Sequence, residues 1–362
     1  MLRSLLSLGL LTLFGLWSLG AQAAEVLTLA GTGAKSRSGD GGLASEAAVG
    51  EPYGVVIGPD EALYVCEIAT HVIRRVDLKT GTISTIAGSG VKGYAGDGGP
   101  ALEAKLDEPY EVRFDSAGNL LFVEMKNAVV RLVNKTTGTI ETVAGTGAIG
   151  FSGDGGPARQ ATMNRPHSIA LDRDDNIYVC DIGNHRIRKI DAQSGTITTY
   201  SGTGERRPTP DGAPIGRTPL NGPRALDIDS HGRLVLALRE GNAIYRFNPA
   251  QNRIEHLAGT GKKGYTGHGG PALKAELSGP KGVAVSSNGD IYFADTESHT
   301  IRMISGKDGT MHTIVGDGTR GDGPGGDPLH CRLARPHSVC IDAEGNVYIG
   351  DSENNKVRVW RP

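Results

Sequence analysis

Two histidines, His167 and His337, occupy the same place in two nearly identical segments, RPHSIALD (165–172) and RPHSVCID (335–342). Each one directly follows a proline and opens an apolar run of the kind found in a buried strand. An imidazole changes its charge near neutral pH, so it can act as a general acid or base, and its neutral form binds metal ions such as Zn²⁺. These two residues are therefore the first candidates for chemistry in the chain.

The position after the proline belongs to a repeat. Apolar runs open at six prolines, and the steps between them are four of 57 residues and one of 56: Pro52, Pro109, Pro166, Pro223, Pro280 and Pro336. The residue after the proline changes from copy to copy: Tyr53, Tyr110, His167, Arg224, Lys281 and His337. The common fold of the copies explains the residues that recur in all of them, but it does not explain a residue that changes from copy to copy. The variable position after the proline therefore predicts a ligand site.

Each repeat predicts four short strands. In the third copy the strands are HSIALD, IYVCD, HRIRKID and TITTYSG, and turn residues separate them. Four antiparallel strands in each of six copies predict an all-β fold, a six-bladed β-propeller. Residues 25–33, EVLTLAGTG, match the fourth strand of other copies, whereas the chain ends in a third strand, KVRVWRP. We therefore expect the N-terminal strand to complete the last blade and close the ring.

The topology of a blade predicts which residues share the top face of the propeller. Loops between strands 2 and 3 lie there together with the connections between blades, so the post-proline residue lies near the acid that ends strand 2. Those acids are Glu67, Glu124, Asp181, Asp295 and Asp351. We expect the Asp residues to be structural, because Asp at a strand end often binds loop amides. Glu67 and Glu124 depart from Asp, and Glu111 stands where two copies have Gly, so all three join the predicted site.

The candidate site is thus a polar channel mouth that binds a polar or anionic small ligand. Because His167 and His337 are three blades apart, we expect them to face each other across the channel. Two histidines alone make a poor metal site, and the candidates for a third ligand are Tyr53, Tyr110, Glu111, Glu67 and Glu124.

Two resemblances add to this interpretation. PHSIALDRDDNIYVCDIGNHRIRKID and PKGVAVSSNGDIYFADTESHTIRMI resemble NHL repeats, which implies a propeller but no particular function. PHSIAL and RPHSVCIDAEGNVYIGD also resemble the post-proline histidine segments of peptidyl-hydroxyglycine amidating lyase, another six-bladed propeller. In that family such histidines hold a catalytic metal, which implies His167 and His337 as ligands of a divalent metal such as Zn²⁺ or Ca²⁺. The family uses three such histidines, and here the other positions are Tyr, Arg or Lys.

The first 23 residues predict a secretory signal peptide. Arg3 precedes an apolar stretch over residues 5–19, and Ala21-Gln22-Ala23 forms a small-residue cleavage site. Residues 24–362 then form the propeller, and we expect it in the periplasm or outside the cell. No later segment is apolar enough to span a membrane.

The net charge of the chain is −2, so we do not expect a broad positively charged surface. Nucleic acid is therefore disfavoured as a partner, because its binding depends on such a surface.

Two classes of function remain open. The first is an exported monomeric protein that binds a small polar ligand or a protein partner at the channel mouth. The second is an enzyme, a metal-dependent lyase or lactone hydrolase that uses His167 and His337.

Four cysteines stand at repeat positions where other copies have small apolar residues, so we expect them to be buried. The sequence leaves their disulfide state open: Cys66, Cys180, Cys331 and Cys340.

Overall fold

The computed structural model describes residues 23–362, and the predicted signal peptide lies outside the described residues except for Ala23. Within this part of the chain, 24 strands form six antiparallel sheets of four strands each. The sheets are arranged as the blades of a propeller, which confirms the all-β fold predicted from the repeat.

The first five blades are consecutive runs of four strands, ordered from the central channel to the rim. Blade 1 contains β2 (Pro52–Ile57), β3 (Leu63–Glu67), β4 (Val72–Val76) and β5 (Ile83–Ala87). Blade 2 contains β6 (Pro109–Phe114), β7 (Leu120–Glu124), β8 (Val129–Val133) and β9 (Ile140–Ala144). Blade 3 contains β10 (Pro166–Leu171), β11 (Ile177–Asp181), β12 (Arg186–Ile190) and β13 (Ile197–Ser201).

The remaining blades follow the same order. Blade 4 contains β14 (Pro223–Ile228), β15 (Leu234–Leu238), β16 (Ala243–Asn248) and β17 (Arg253–Ala258). Blade 5 contains β18 (Pro280–Val285), β19 (Ile291–Asp295), β20 (Thr300–Ile304) and β21 (Met311–Val315). Blade 6 contains β22 (Ser338–Ile341), β23 (Val347–Asp351), β24 (Lys356–Arg361) and, as its outer strand, β1 (Glu25–Ala30).

The N-terminal strand closes the ring, as predicted. β1 pairs antiparallel with β24, with Glu25 opposite Arg361 and Thr28 opposite Arg358. The innermost strand of each blade also contacts the innermost strands of both neighbouring blades, including β22 with β2. Because the last blade takes its outer strand from the start of the chain, the two ends are held together by a strand pairing.

The helical segments of the described residues are single turns of 3-10 helix in loops. Five of them lie in the connections between blades: Ala44–Glu46, Ala101–Glu103, Ala158–Gln160, Ile215–Arg217 and Ala272–Lys274. The other four follow a second or third strand: Ile182–Asn184, Pro249–Gln251, Thr296–Ser298 and Ser352–Asn354. Within residues 23–362 we find no helix whose length and apolar character would let it cross a membrane.

The hydrophobic core lies between neighbouring blades. Between blades 1 and 2, for example, Ile73 and Cys66 pack with Val112, Phe122 and Ile140, all of them fully buried. Both faces of a blade are covered in this way, so the second strands are buried along their whole length. All four cysteines belong to this interior and are unpaired.

A repeated buried arginine ties each glycine-rich connection to the following blade. In blade 2, Arg131 on β8 donates to Glu124 at 2.8 Å and to Asp97 of the preceding connection at 2.7 Å. The connection turns tightly at Gly96, where φ is +105° and a Cβ would lie 2.8 Å from the Cα of Ala104. Glycine is therefore required at this turn, and the GDGGPA pattern has a structural cause.

Candidate functional site

The six post-proline side chains meet in one cluster at the top of the channel, which we call the mouth cluster. His337 stacks on Tyr53 with 3.9 Å between ring centroids, and Tyr53 meets Tyr110 edge-on at 4.8 Å. Tyr110 then meets His167 at 4.5 Å, and the Arg224 guanidinium lies over the other side of this cluster, 4.5 Å from the Tyr110 ring centre. His337 and His167 are thus linked through two tyrosine rings.

A bulge after the proline of blades 1 to 5 helps to place these side chains. Pro166 pairs with Asp181, but the regular register of the strand pair resumes only at Ile169. The same shift follows Pro109 and Pro280. Because an extra residue in one strand re-aims the neighbouring side chains, the irregularity directs the post-proline residue into the channel mouth.

Above the mouth cluster lies a cavity of about 320 Å³, which we call the mouth cavity. All six post-proline residues line it, and five of them are less than 9% exposed, so they form its floor. Six cationic side chains line the cavity: Arg165, Arg206, Arg224, Arg239, Lys281 and Arg335. Among the described residues that line it, Glu240 supplies the one carboxylate.

Burial lowers the pKa of both mouth histidines well below the usual range, and the nearby cations lower it further. The Nδ1 atoms lie 2.6 Å from the carbonyl oxygen of Arg165 and 2.8 Å from that of Arg335, respectively. A carbonyl oxygen only accepts, so Nδ1 carries the proton in each ring and Nε2 is the free acceptor.

Lys281 is the most perturbed cation of the mouth cavity. Burial lowers its pKa to about 7, and the positive charge of Arg224 acts in the same direction. Its Nζ atom lies 3.3 Å from Nε2 of His337 and 3.1 Å from a carboxylate oxygen of Glu297. An added negative charge in the cavity would favour the charged form of this amine.

These residues fit a divalent metal poorly. The described residues contain no group of three His, Cys, Asp or Glu side chains placed to hold a metal ion. The Nε2 atom of His337 is already the acceptor for Lys281, and Arg224 and Arg335 act on the same imidazole. A divalent cation would have to enter beside these charges, which repel it.

The three carboxylates predicted at the mouth lie elsewhere. Glu67 is fully buried and accepts hydrogen bonds from the Gly50 amide at 2.9 Å and from Arg74 at 3.3 Å. Glu124 binds Arg131 in the same manner, so both glutamates take the place of the structural Asp of other blades. Glu111 lies within the channel, where it forms a 2.5 Å ion pair with Arg113. None of the three lines the mouth cavity.

Sequence reasoning missed four cations of the mouth cavity. Arg165 and Arg335 directly precede the prolines at φ values of 55° and 50°, where blades 4 and 5 have Gly222 and Gly279. A charged residue in the left-handed region, in place of glycine, was the available signal. Arg239 follows Leu238, the departure from the strand-2 acid. Arg206 lies in the connection before blade 4, and its place in the sequence does not indicate that it reaches the mouth cavity.

Comparison with known protein families agrees with the repeat. Residues 229–324 match the family model of the teneurin NHL domain, and residues 163–190 and 333–360 match the NHL repeat. The chain is 26% identical over 285 residues to Protein SUPPRESSOR OF QUENCHING 1, chloroplastic, of Arabidopsis thaliana, covering 75% of this chain and 27% of that protein. It is 28% identical over 236 residues to NHL repeat-containing protein 2 of Bos taurus, covering 56% of this chain and 32% of that protein. The chain thus spans about a third or less of the length of these two relatives.

A solved structure has a similar fold. An auxiliary nutrient binding protein from Bacteroides ovatus superposes with a TM-score of 0.68 at 18% sequence identity, covering 94% of this chain and 76% of that one. At this identity the likeness establishes the fold alone. The repeat matches and the six blades together identify the chain as a propeller built from NHL repeats.

Proposed function

We propose that this chain, which is a six-bladed β-propeller with NHL repeats, binds a small anionic ligand at the mouth of its central channel. The observation that carries the proposal is the lining of the mouth cavity, where six cationic side chains surround one carboxylate. The chain as a whole has a net charge of −2. The cations are therefore concentrated locally, as expected for a site that attracts negative charge.

The chemistry of the cations suits carboxylate, phosphate or sulfate groups. Five of the six are arginines, whose planar guanidinium groups bind such oxyanions through two parallel hydrogen bonds. A carboxylate already occupies the edge of this cluster, since one oxygen of Glu297 contacts both Lys281 at 3.1 Å and Arg335 at 2.9 Å. This internal carboxylate is a guide to how a ligand oxyanion would be held.

The size of the cavity favours a small molecule. The buried mouth cluster closes its floor, so a ligand enters from the top face and stops at the rings and at Arg224. A cavity of about 320 Å³ matches the volumes of sites for small ligands.

Isothermal calorimetry with inorganic sulfate and citrate tests the proposal. Arg239→Gln removes a cavity cation whose side chain is 43% exposed, so the fold should tolerate the change. We expect this variant to bind citrate about tenfold more weakly than the unmodified protein. Arg253→Gln is the matched control, because Arg253 is exposed on the rim strand β17. Failure of both anions to bind, or an equal loss in the control, would contradict the proposal.

We further propose that the protein is exported. The support is the sequence pattern of one arginine, an apolar stretch and the Ala21-Gln22-Ala23 cleavage site. Expression of the full chain followed by cell fractionation and N-terminal sequencing tests this proposal. We expect the exported protein to begin at Ala24, whereas an intact N-terminus in the cytoplasm would refute it.

A further inference from the structure

We infer that the ligand carries two anionic groups, one bound in the mouth cavity and the other in an adjoining groove. This inference rests on the proposed binding of an anion at the mouth. The groove has a volume of about 440 Å³ and opens on the same top face. It is lined by Arg206, Arg239, Glu240, Asn242, Lys263, Gly279, Glu297 and Arg335, and we call it the outer groove.

The outer groove and the mouth cavity are contiguous. Four residues line both of them: Arg206, Arg239, Glu240 and Arg335. Three of the four are arginines, so a ligand that extends from one space to the other passes along a row of guanidinium groups. Lys263 adds a further cation that belongs to the groove alone.

Charge in the combined site is strongly unbalanced. The two spaces together present seven cationic residues and two carboxylates, Glu240 and Glu297, among the described residues that line them. Arg239 neutralises part of Glu240 at 2.8 Å, and Glu297 is shared between Lys281 and Arg335. Several guanidinium groups are thus left to bind an added anion, and one negative group could not balance them.

Glu297 indicates how close the two spaces are. One of its carboxylate oxygens contacts Lys281, which lines the mouth cavity, and Arg335, which lines both spaces. A single carboxylate therefore reaches both a cation of the mouth cavity and a cation that the two spaces share. Two anionic groups separated by a few covalent bonds would fit, one on each side.

The cations of the outer groove stand where the repeat does not require them. Arg239 occupies the position of Ile68, Met125 and Ile182 in other blades. Arg206 lies in ERRPTPDGAPIG, the connection that replaces the glycine-rich pattern of other copies. The shared architecture of the blades therefore does not explain these charges, whereas binding of a second anionic group does.

Calorimetry with fructose 1,6-bisphosphate and fructose 6-phosphate tests the inference, because the two sugars differ by one phosphate. We expect the bisphosphate to bind about 100-fold more tightly, since the second contact forms within the complex. Lys263→Gln should weaken the bisphosphate about tenfold and leave the monophosphate unchanged. Lys92→Gln is the matched control, because Lys92 holds the same repeat position in the connection between blades 1 and 2.

The outcomes separate this inference from the proposed function. Equal affinity for the two sugars, with both weakened by Arg239→Gln, would overturn the two-anion ligand and leave anion binding intact. Absence of binding by both sugars and by citrate would overturn both. A single-stranded oligonucleotide that binds more tightly than the bisphosphate and displaces it would overturn the inference in favour of a nucleic acid.

Discussion

The Nζ atom of Lys281 lies 3.3 Å from Nε2 of His337, in the buried floor of the mouth cavity. Because Nδ1 of His337 faces the carbonyl oxygen of Arg335 at 2.8 Å, Nε2 is unprotonated and accepts from the lysine. The two residues come from neighbouring blades and hold the same repeat position. The imidazole of His337 thus holds the Lys281 amine in the floor of the mouth cavity, where the charged amine would contact a bound anion.

Anion binding should weaken as the pH rises from about 6 to about 9. The pKa of Lys281 in the free protein is about 7, so the amine is charged below this pH and loses its charge above it. A bound anion favours the charged amine, and affinity therefore falls as the pH passes through about 7 and beyond. Calorimetry with sulfate, whose charge is constant in this range, measures the effect.

Lys281→Gln should flatten this pH dependence, because it removes the titrating amine. Lys263→Gln should retain it, since Lys263 lies in the outer groove and away from the mouth cluster. If the slope persists in the Lys281 variant, another group controls the pH dependence and the assignment is wrong.

Arg165→Gly should lower anion affinity without a loss of stability. Arg165 has a φ of 55°, and the equivalent residues of blades 4 and 5 are Gly222 and Gly279. Glycine adopts this conformation without strain, so the free energy of unfolding should stay the same or rise by up to about 1 kcal/mol. Calorimetry and chemical denaturation measure the two quantities.

Glu108→Gly is the matched control for Arg165→Gly. Glu108 has the same repeat position and a φ of 54°, but it does not line the mouth cavity. It should show the same change in stability and no loss of anion affinity. A loss of affinity in both variants would indicate that the backbone at this position, and not the arginine charge, is important for binding.

Zn²⁺ should show no binding that depends on the two mouth histidines. The cations around them oppose a divalent ion, and Nε2 of His337 is engaged by Lys281. Calorimetric titration of the protein with Zn²⁺, compared with the His167→Ala variant, tests this expectation. Tight binding of one zinc ion that the substitution abolishes would support the metal-dependent lyase implied by the sequence resemblance.

The fold could be predicted because its signal is repeated six times. Each strand, turn and proline recurs at a nearly fixed interval, so an error in one copy is corrected by the others. The post-proline ring followed from the same register, and the structure brings Tyr53, Tyr110 and His167 together as expected. Variation between copies therefore indicated six side chains that meet in the mouth cluster, and their role in ligand binding stays a prediction.

The cations that lie in the connections between blades could not be predicted from the spacing of the repeats. Arg206 and Lys263 lie in connections whose path depends on packing, so no repeat position indicates that they reach the same space. The overall charge of −2 also concealed the cations, because acids elsewhere on the chain balance them. Glu67 and Glu124 were predicted at the mouth because they differ from the Asp of other copies. In the structure each forms the same ion pair that Asp forms elsewhere, since the longer carboxylate also reaches the arginine.

Blade 4 shows how the buried ion pair can be replaced. Where other blades have an acid on the second strand and an arginine on the third, blade 4 has Leu238 and Tyr245. Both are buried, and the Tyr245 hydroxyl donates to the Thr209 carbonyl oxygen at 2.7 Å. The two charges are thus lost together, as expected if either one alone would be costly to bury.

Transfer of this pair into blade 2 tests the cost directly. Glu124→Leu should lower the free energy of unfolding by about 3 kcal/mol, because it removes one buried partner of Arg131. The double variant Glu124→Leu/Arg131→Tyr should be about 2 kcal/mol more stable than the single one, since the buried guanidinium is removed as well and Asp97, its other partner, is half-exposed to water. Glu141→Leu is the control, because Glu141 pairs with Arg159 at the surface and should change stability by less than about 1 kcal/mol. Urea denaturation measures all three, and a double variant no more stable than Glu124→Leu would show that the charges are not buried as a coupled pair.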